Sequence, residues 1–197
     1  MQIYYLPNIA YFTEFLKQEE LILHVNDHYS RRSSRNRTEI VGANGKQVLS
    51  IPTQKLNLED RNYNKVILSY AESWLKQHWR SFEASYRRSA YFEYYEDKLY
   101  PFFEKPNAEY LWEFNVELMK VILTILKIDK PLIVNLIDEA PIYQANPSFI
   151  TKPYQQVFSN KQDFVPNLSI LDLIFNVGPQ SKSYLLQFVT QKSNEIV

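Results

Sequence analysis

The chain contains no cysteine. Disulfide bridges, thiolate zinc sites and a cysteine nucleophile are therefore excluded, and the absence fits a reducing compartment. Glycine is nearly as scarce, with Gly42, Gly45 and Gly178 the complete set in 197 residues. Three glycines so placed cannot write a Walker loop or a dinucleotide-binding turn, and no other cofactor motif is read. A phosphate would have to be held by Arg, Lys or Tyr side chains, or by the amides of a helix start. There is no surplus of either charge: 22 Lys plus Arg balance 22 Asp plus Glu. Neither a general nucleic-acid binder nor a membrane-surface binder is expected from that balance. Nor is there a long apolar run. The most apolar stretch, residues 111–128, is interrupted by Glu113, Asn115, Glu117 and Lys120, so no membrane insertion is expected. The first six residues lack the basic-then-apolar order of a signal peptide, and a cytoplasmic location is expected. No Gly-x-Ser-x-Gly, HExxH or EF-hand pattern occurs.

What is present is an ordinary globular composition, 45% hydrophobic and 22% charged, with an aromatic bias of 15 Tyr and 12 Phe. The length suits one domain over residues 1–197. Residues 3–6 are β-prone and end at Pro7, and Asn8 can cap a helix over 9–17. Residues 21–25 read as a buried strand. Residues 38–41 and 47–51 read as the arms of a hairpin around Gly42-Ala43-Asn44-Gly45. A polar loop over 56–64 leads to a further strand at 65–68.

Helical spacing predicts a helix over 72–87, with Leu75, Trp79, Phe82 and Tyr86 facing the core and a second stripe of Trp74, His78, Ser81 and Ser85. An aromatic helix is expected over 92–103, stopped by Pro106. Asn107 would cap a long helix over 108–128. A strand at 132–137, an irregular stretch at 140–152, a helix at 168–176 closed by Gly178, and a last helix at 182–191 complete the reading. Strands early and helices late give an α/β (or α+β) fold, a single mixed sheet with a β-hairpin, covered by several helices. The helix between the first two strands allows them to pair in parallel.

Several residues could carry chemistry. Arg31, Arg32, Arg35 and Arg37, with Asn36, could clamp an anion through fork-shaped donors, or could form a solvated turn beside an edge strand. Trp74 and His78, four apart, share a helix face. His78 could move a proton near neutral pH, or simply complete an aromatic cluster. Ser169 and Asp172 fit the first turn of a helix, as cap and dipole partner or as an anion-receiving end. Asn115 lies on an apolar face and must find partners if buried. His24, Asp27 and His28 are close in sequence, but their spacing matches no ligand motif, so no metal site is expected.

Taken together, ordered segments resemble the WbqC-like family of bacterial proteins. They are Leu6-Pro7-Asn8-Ile9-Ala10-Tyr11-Phe12, then Tyr29, Arg35-Asn36-Arg37, Gly42-Ala43-Asn44-Gly45 and Leu49-Ser50-Ile51-Pro52. They continue with Trp74, His78-Trp79, Tyr86, Ser89-Ala90-Tyr91-Phe92 and Lys152-Pro153-Tyr154-Gln155-Gln156. The last runs from Phe164-Val165-Pro166-Asn167-Leu168 through Ser169-Ile170-Leu171-Asp172 to Asn176. The set is similar to the shorter form found in Bacteroidetes-type bacteria. Where the family often has His before its Pro-x-Tyr-like segment, this chain has Lys152.

The resemblance implies a role in surface-polysaccharide or O-antigen biosynthesis, as a transferase acting on a nucleotide-linked sugar or an acyl donor. On that reading the partner is a small-molecule substrate. Arg37 and Asn36 hold its phosphate or carboxylate, His78 carries a proton with Asp172 as the second catalytic group, and Tyr29, Trp74, Asn115, Tyr154 and Ser169 shape the pocket. The alternative is a non-catalytic carbohydrate- or protein-binding module with a tyrosine-rich surface. Geometry separates the two: if Arg37, His78 and Asp172 lie far apart and face different sides the transferase reading fails, and if they line one pocket the binding module becomes the weaker reading.

Overall fold

Asn8 starts the fold's first helix as its chemistry predicts. Its side-chain oxygen accepts from the Tyr11 amide and opens α1, Ile9–Lys17. The structure is a computed structural model and describes residues 1–55, 62–105, 108–137, 149 and 151–189. Strand β1, Leu21–His24, follows, and its parallel partner is β4, Leu132–Asn135, with Leu21 opposite Leu132. Gln2 adds one parallel bridge to His24, while residues 3–6, the expected early strand, are not a strand.

The hairpin is β2, Arg37–Gly42, with β3, Gly45–Ser50. The chain reverses through Ala43 and Asn44, and Gly45 takes the left-handed position after the turn at φ +98°. Parallel and antiparallel pairing are thus both present, in two ladders of two strands each. The remaining helices are α2 (Trp74–Tyr86), α3 (Phe92–Leu99), α4 (Pro101–Glu104), α5 (Leu111–Ile125), α6 (Ile170–Val177) and α7 (Ser181–Val189).

Three boundaries differ from expectation, each for a local reason. The aromatic helix over 92–103 is interrupted because Pro101 cannot donate to the ladder and instead begins α4. Helix α5 begins at Leu111, where the Tyr110 amide donates to the Glu113 carboxylate; Asn107 lies outside the described residues. The strand expected at 65–68 is a 3₁₀ turn, Tyr63–Lys65, followed by single bridges from Ile67 to Tyr110 and from Leu68 to Thr53. Most of the 56–64 loop and of the 140–152 stretch also lies outside the described residues.

A hydrophobic cluster runs through all of this, from Ile3 and Phe12 through Phe82 and Ile122 to Phe175 and Leu185. Helix α2 buries most of both expected stripes: Trp79, Phe82 and Tyr86 on one, Trp74, His78 and Ser85 on the other, with Leu75 and Ser81 only half-buried. Among the described residues, no helix is long and apolar enough to cross a membrane.

Candidate functional site: a cationic cleft and the polar core behind it

Segments far apart in the sequence meet where α1 begins. The Ile9 amide donates to the Leu168 carbonyl, the Ala10 amide to Asn167 Oδ1, and the Ile170 amide to the Pro7 carbonyl. The Tyr5 amide donates to Ser34 and the Ser169 amide to Glu39. These crossing bonds leave a cleft of about 550 Å³, walled by residues 4–8, 32–34, 37–39, Lys46, Val48 and 166–167. That volume suits a small-molecule ligand.

The cleft's backbone is held in unusual conformations. Leu6 (φ +42°), Arg32 (φ +63°) and Asn167 (φ +54°) all line it, and the only other described non-glycine residue with positive φ is Lys127, past the end of α5. For a leucine the left-handed region costs of order 1–2 kcal/mol. Hydrogen bonds over-determine it: the Leu6 carbonyl accepts from Thr38 Oγ1 at 2.8 Å and from Ser169 Oγ at 3.1 Å. Ser169 is therefore a strut behind the wall. It also caps α6, accepting from the Leu171 amide.

The wall is cationic. Lys46 pairs with Glu39 across the hairpin, which leaves Arg32 and Arg37 without an ion-pair partner among the described residues. Arg37 is half-buried, and its Nε is buried with no hydrogen-bond partner among the described residues. A guanidinium N–H in that position is a donor awaiting an acceptor.

Behind the hairpin lies a polar core that gathers several predicted residues around the end of β3. Asn36 Nδ2 donates to the Ile51 carbonyl, while its Oδ1 is buried and has no partner among the described residues. Tyr29 stacks on Tyr63, and its hydroxyl faces Thr53 short of hydrogen-bond geometry. Asn115 Nδ2 donates to the Arg35 carbonyl and to the Tyr63 hydroxyl, and its Oδ1 has no partner among the described residues. Trp74 meets the His78 ring edge-on at 5.2 Å, and its buried Nε1 has no acceptor among the described residues.

His78 is 4% exposed, and its Nδ1 lies 2.8 Å from the hydroxyl of Tyr5, a residue of the cleft wall. Burial depresses the imidazole's pKa to about 4, partly offset by the Ser50 backbone. Nδ1 and the Tyr5 hydroxyl share a hydrogen bond whose direction follows the ring's tautomer, and burial holds the Tyr5 pKa well above its usual value.

Sequence reading missed the charged centre of this core. Arg35 is neither clamp nor solvated turn. It is 3% exposed, makes a two-pronged ion pair with buried Asp27, and sits 4.5 Å over the Tyr63 ring. Gln2 Nε2 donates to the same carboxylate. The Asp27 carboxylate considered as a metal ligand is thus engaged by a guanidinium and an amide, and among the described residues no three acidic or His side chains converge.

Asp172 belongs to a different network. Fully buried in the first turn of α6, it accepts from the Tyr154 hydroxyl at 2.5 Å and from Gln156 Nε2 at 2.9 Å. The Tyr86 hydroxyl lies near it, outside good hydrogen-bond geometry. Burial raises the Asp172 pKa, and the donors around it oppose that rise. Tyr154 lines a separate cavity of about 520 Å³. Arg37 lines the cationic cleft, His78 sits one residue behind its wall, and Asp172 borders neither cavity.

Comparison with known proteins agrees with the whole-chain extent of these features. The sequence profile described as "WbqC-like protein family" matches residues 2–138 and 142–184. The chain is 28% identical over 223 aligned positions to the "uncharacterized protein Rv1507c" of Mycobacterium tuberculosis, covering 94% of this chain and 95% of the relative. No solved structure matches it.

Proposed function

Because this chain belongs to the WbqC-like family, and because its conformationally constrained cleft carries two uncompensated arginines, we propose that it binds an anionic small molecule there. The ligand is the activated donor of a transfer reaction, a nucleotide-linked sugar or an acyl donor used in surface-polysaccharide or O-antigen assembly. The observation that carries the reading is the buried, partnerless Nε of Arg37 at the edge of the cleft. Arg37 and Arg32 supply fork-shaped donors for phosphate or carboxylate. The unpaired oxygens of Asn36 and Asn115 and the Trp74 indole N–H, in the polar core behind, support the same reading as unmet hydrogen-bonding capacity. His78, neutral at pH 7, is the proton acceptor, one residue behind the wall through Tyr5. Asp172 borders neither cavity and is left out of the reacting set, so the reaction rests on Arg37 and His78 alone rather than on the three-residue pocket expected from the sequence.

A thermal-shift screen against inorganic phosphate, nucleotides, nucleotide sugars and acyl-carrier thioesters tests the binding step. A stabilising response is expected for at least one phosphorylated ligand. It should weaken with added salt, vanish in Arg37→Ala and survive in part in Arg37→Lys. Folded protein that responds to none of these ligands overturns the proposal.

A second reading, a binding module without turnover, is favoured by one observation: His78 and Asp172 sit in separate networks. Product analysis by mass spectrometry with the best ligand separates the two. A transferase forms product and loses about 10²-fold or more of its rate in His78→Gln while keeping the ligand-induced shift. A binding module forms none.

A further inference from the structure

The cavity beside α6 and α7 has a chemistry unlike that of the cationic cleft. It is lined by three tyrosines (Tyr91, Tyr154 and Tyr184), three amides (Asn176, Gln180 and Gln187), and no carboxylate. Its one charged residue, Lys152, is engaged by Gln187.

The amides are committed in a complementary way. Asn176 spends its Nδ2 on Asp172, donating to the carbonyl at 2.8 Å, and its Oδ1 has no donor among the described residues. Gln187 spends its Oε1 on the Lys152 ammonium at 3.0 Å, which leaves its Nε2 free to donate. The Gln180 amide is exposed and has neither group engaged among the described residues. The wall therefore presents acceptors and donors side by side, and each hydroxyl of a polyol both gives and takes one hydrogen bond.

The aromatic part is fixed as well. Tyr154 is tied to buried Asp172, Tyr184 donates to the Lys152 carbonyl at 2.5 Å, and Tyr91 packs flat against Gly178. Rigid tyrosine rings offer apolar C–H surface at small entropic cost.

We propose that this cavity is a second ligand site, for a neutral pyranose or a similar polyol. The proposal stands apart from the function of the cleft, since no residue lines both cavities. It also gives buried Asp172 a role: with Gln156 it holds Tyr154 and Asn176, two of the site's side chains, from behind.

The test is amide NMR of the full chain titrated with glucose, galactose and N-acetylglucosamine, with glucuronate as the charged control. Side-chain resonances of Asn176, Gln180 and Gln187 are expected to move with at least one neutral sugar. The double variant Gln180→Ala/Gln187→Ala, both positions exposed, should bind about fivefold or more weakly. Arg37→Ala should respond as the parent does. The proposal is overturned if no neutral sugar moves these resonances, if glucuronate alone does, or if the double variant responds unchanged. A response lost in Arg37→Ala overturns it too, because that places the sugar in the cleft.

Discussion

His78 couples the stability of the protein to pH. Its folded pKa of about 4 lies below the 6.5 of an unfolded histidine, so the fold prefers the neutral ring. Between pH 4 and 6.5 the unfolded chain binds more protons, and stability climbs as pH rises through that window. Above it the His78 contribution is fully present and flat. The difference is worth up to about 3 kcal/mol. Asp172 acts with the opposite sign: its raised pKa makes stability fall as pH rises from 3.8 toward its folded value. In His78→Gln, where the amide can still hydrogen-bond to Tyr5, urea denaturation across pH 4 to 6.5 should show a flattened profile. An unchanged slope would exclude His78 as its source. At this same scale the sequence was hardest to read. Arg35 and Arg37 looked alike in one basic run, yet one fills a core ion pair and the other edges a cleft. Asp27 decides between them, and nothing in residue spacing announces that pairing. The unpaired oxygens of Asn36 and Asn115 were equally out of reach, because an orphaned atom is defined by neighbours the fold brings from elsewhere.

Elements were more legible because their signals are local. Asn8 and Ser169 cap helices by side-chain oxygens, and the hairpin arms were placed within a residue or two. The boundaries that differ are set by equally local signals: Pro101 starts α4, and Glu113, accepting from the Tyr110 amide, opens α5. The two-ladder arrangement was not legible, since strand partners are chosen by tertiary packing. Gly178 gives the element scale its sharpest test. It turns the chain between α6 and α7 at φ +61°, and an added Cβ would sit 2.5 Å from the Tyr91 ring. Gly178→Ala should cost about 2 kcal/mol or more, combining backbone strain with the clash. In a Tyr91→Ala background only the backbone part, about 1 kcal/mol, should remain. A thermal-denaturation double-mutant cycle checks this, and strict additivity would show that the ring is not the obstacle.

Across the whole molecule, the cleft depends on an early and a late segment of the chain meeting. Three hydrogen bonds join residues 7–10 to residues 167–170, and Asn167 makes one of them through its side chain. Asn167→Gly keeps the left-handed backbone and removes only the Oδ1 acceptor. Hydrogen exchange in that variant should speed up at Ile9, Ala10 and Ile170 together, since they open as one unit. Acceleration confined to Ala10 would show that the two segments open independently.

The crossing also sets an order of events in the making of the protein. The cleft is built almost entirely from contacts of very high sequence separation, which are the slowest to form and close last. During synthesis its first wall, residues 4–8, leaves the ribosome long before residues 166–167 exist to oppose it. Until those residues arrive, the arginine wall has no opposite side, and a nascent chain cannot hold the ligand. Ligand capture therefore reports that the chain has been made past residue 167 and its early and late segments joined, and a bound ligand stabilises that closure rather than any one element.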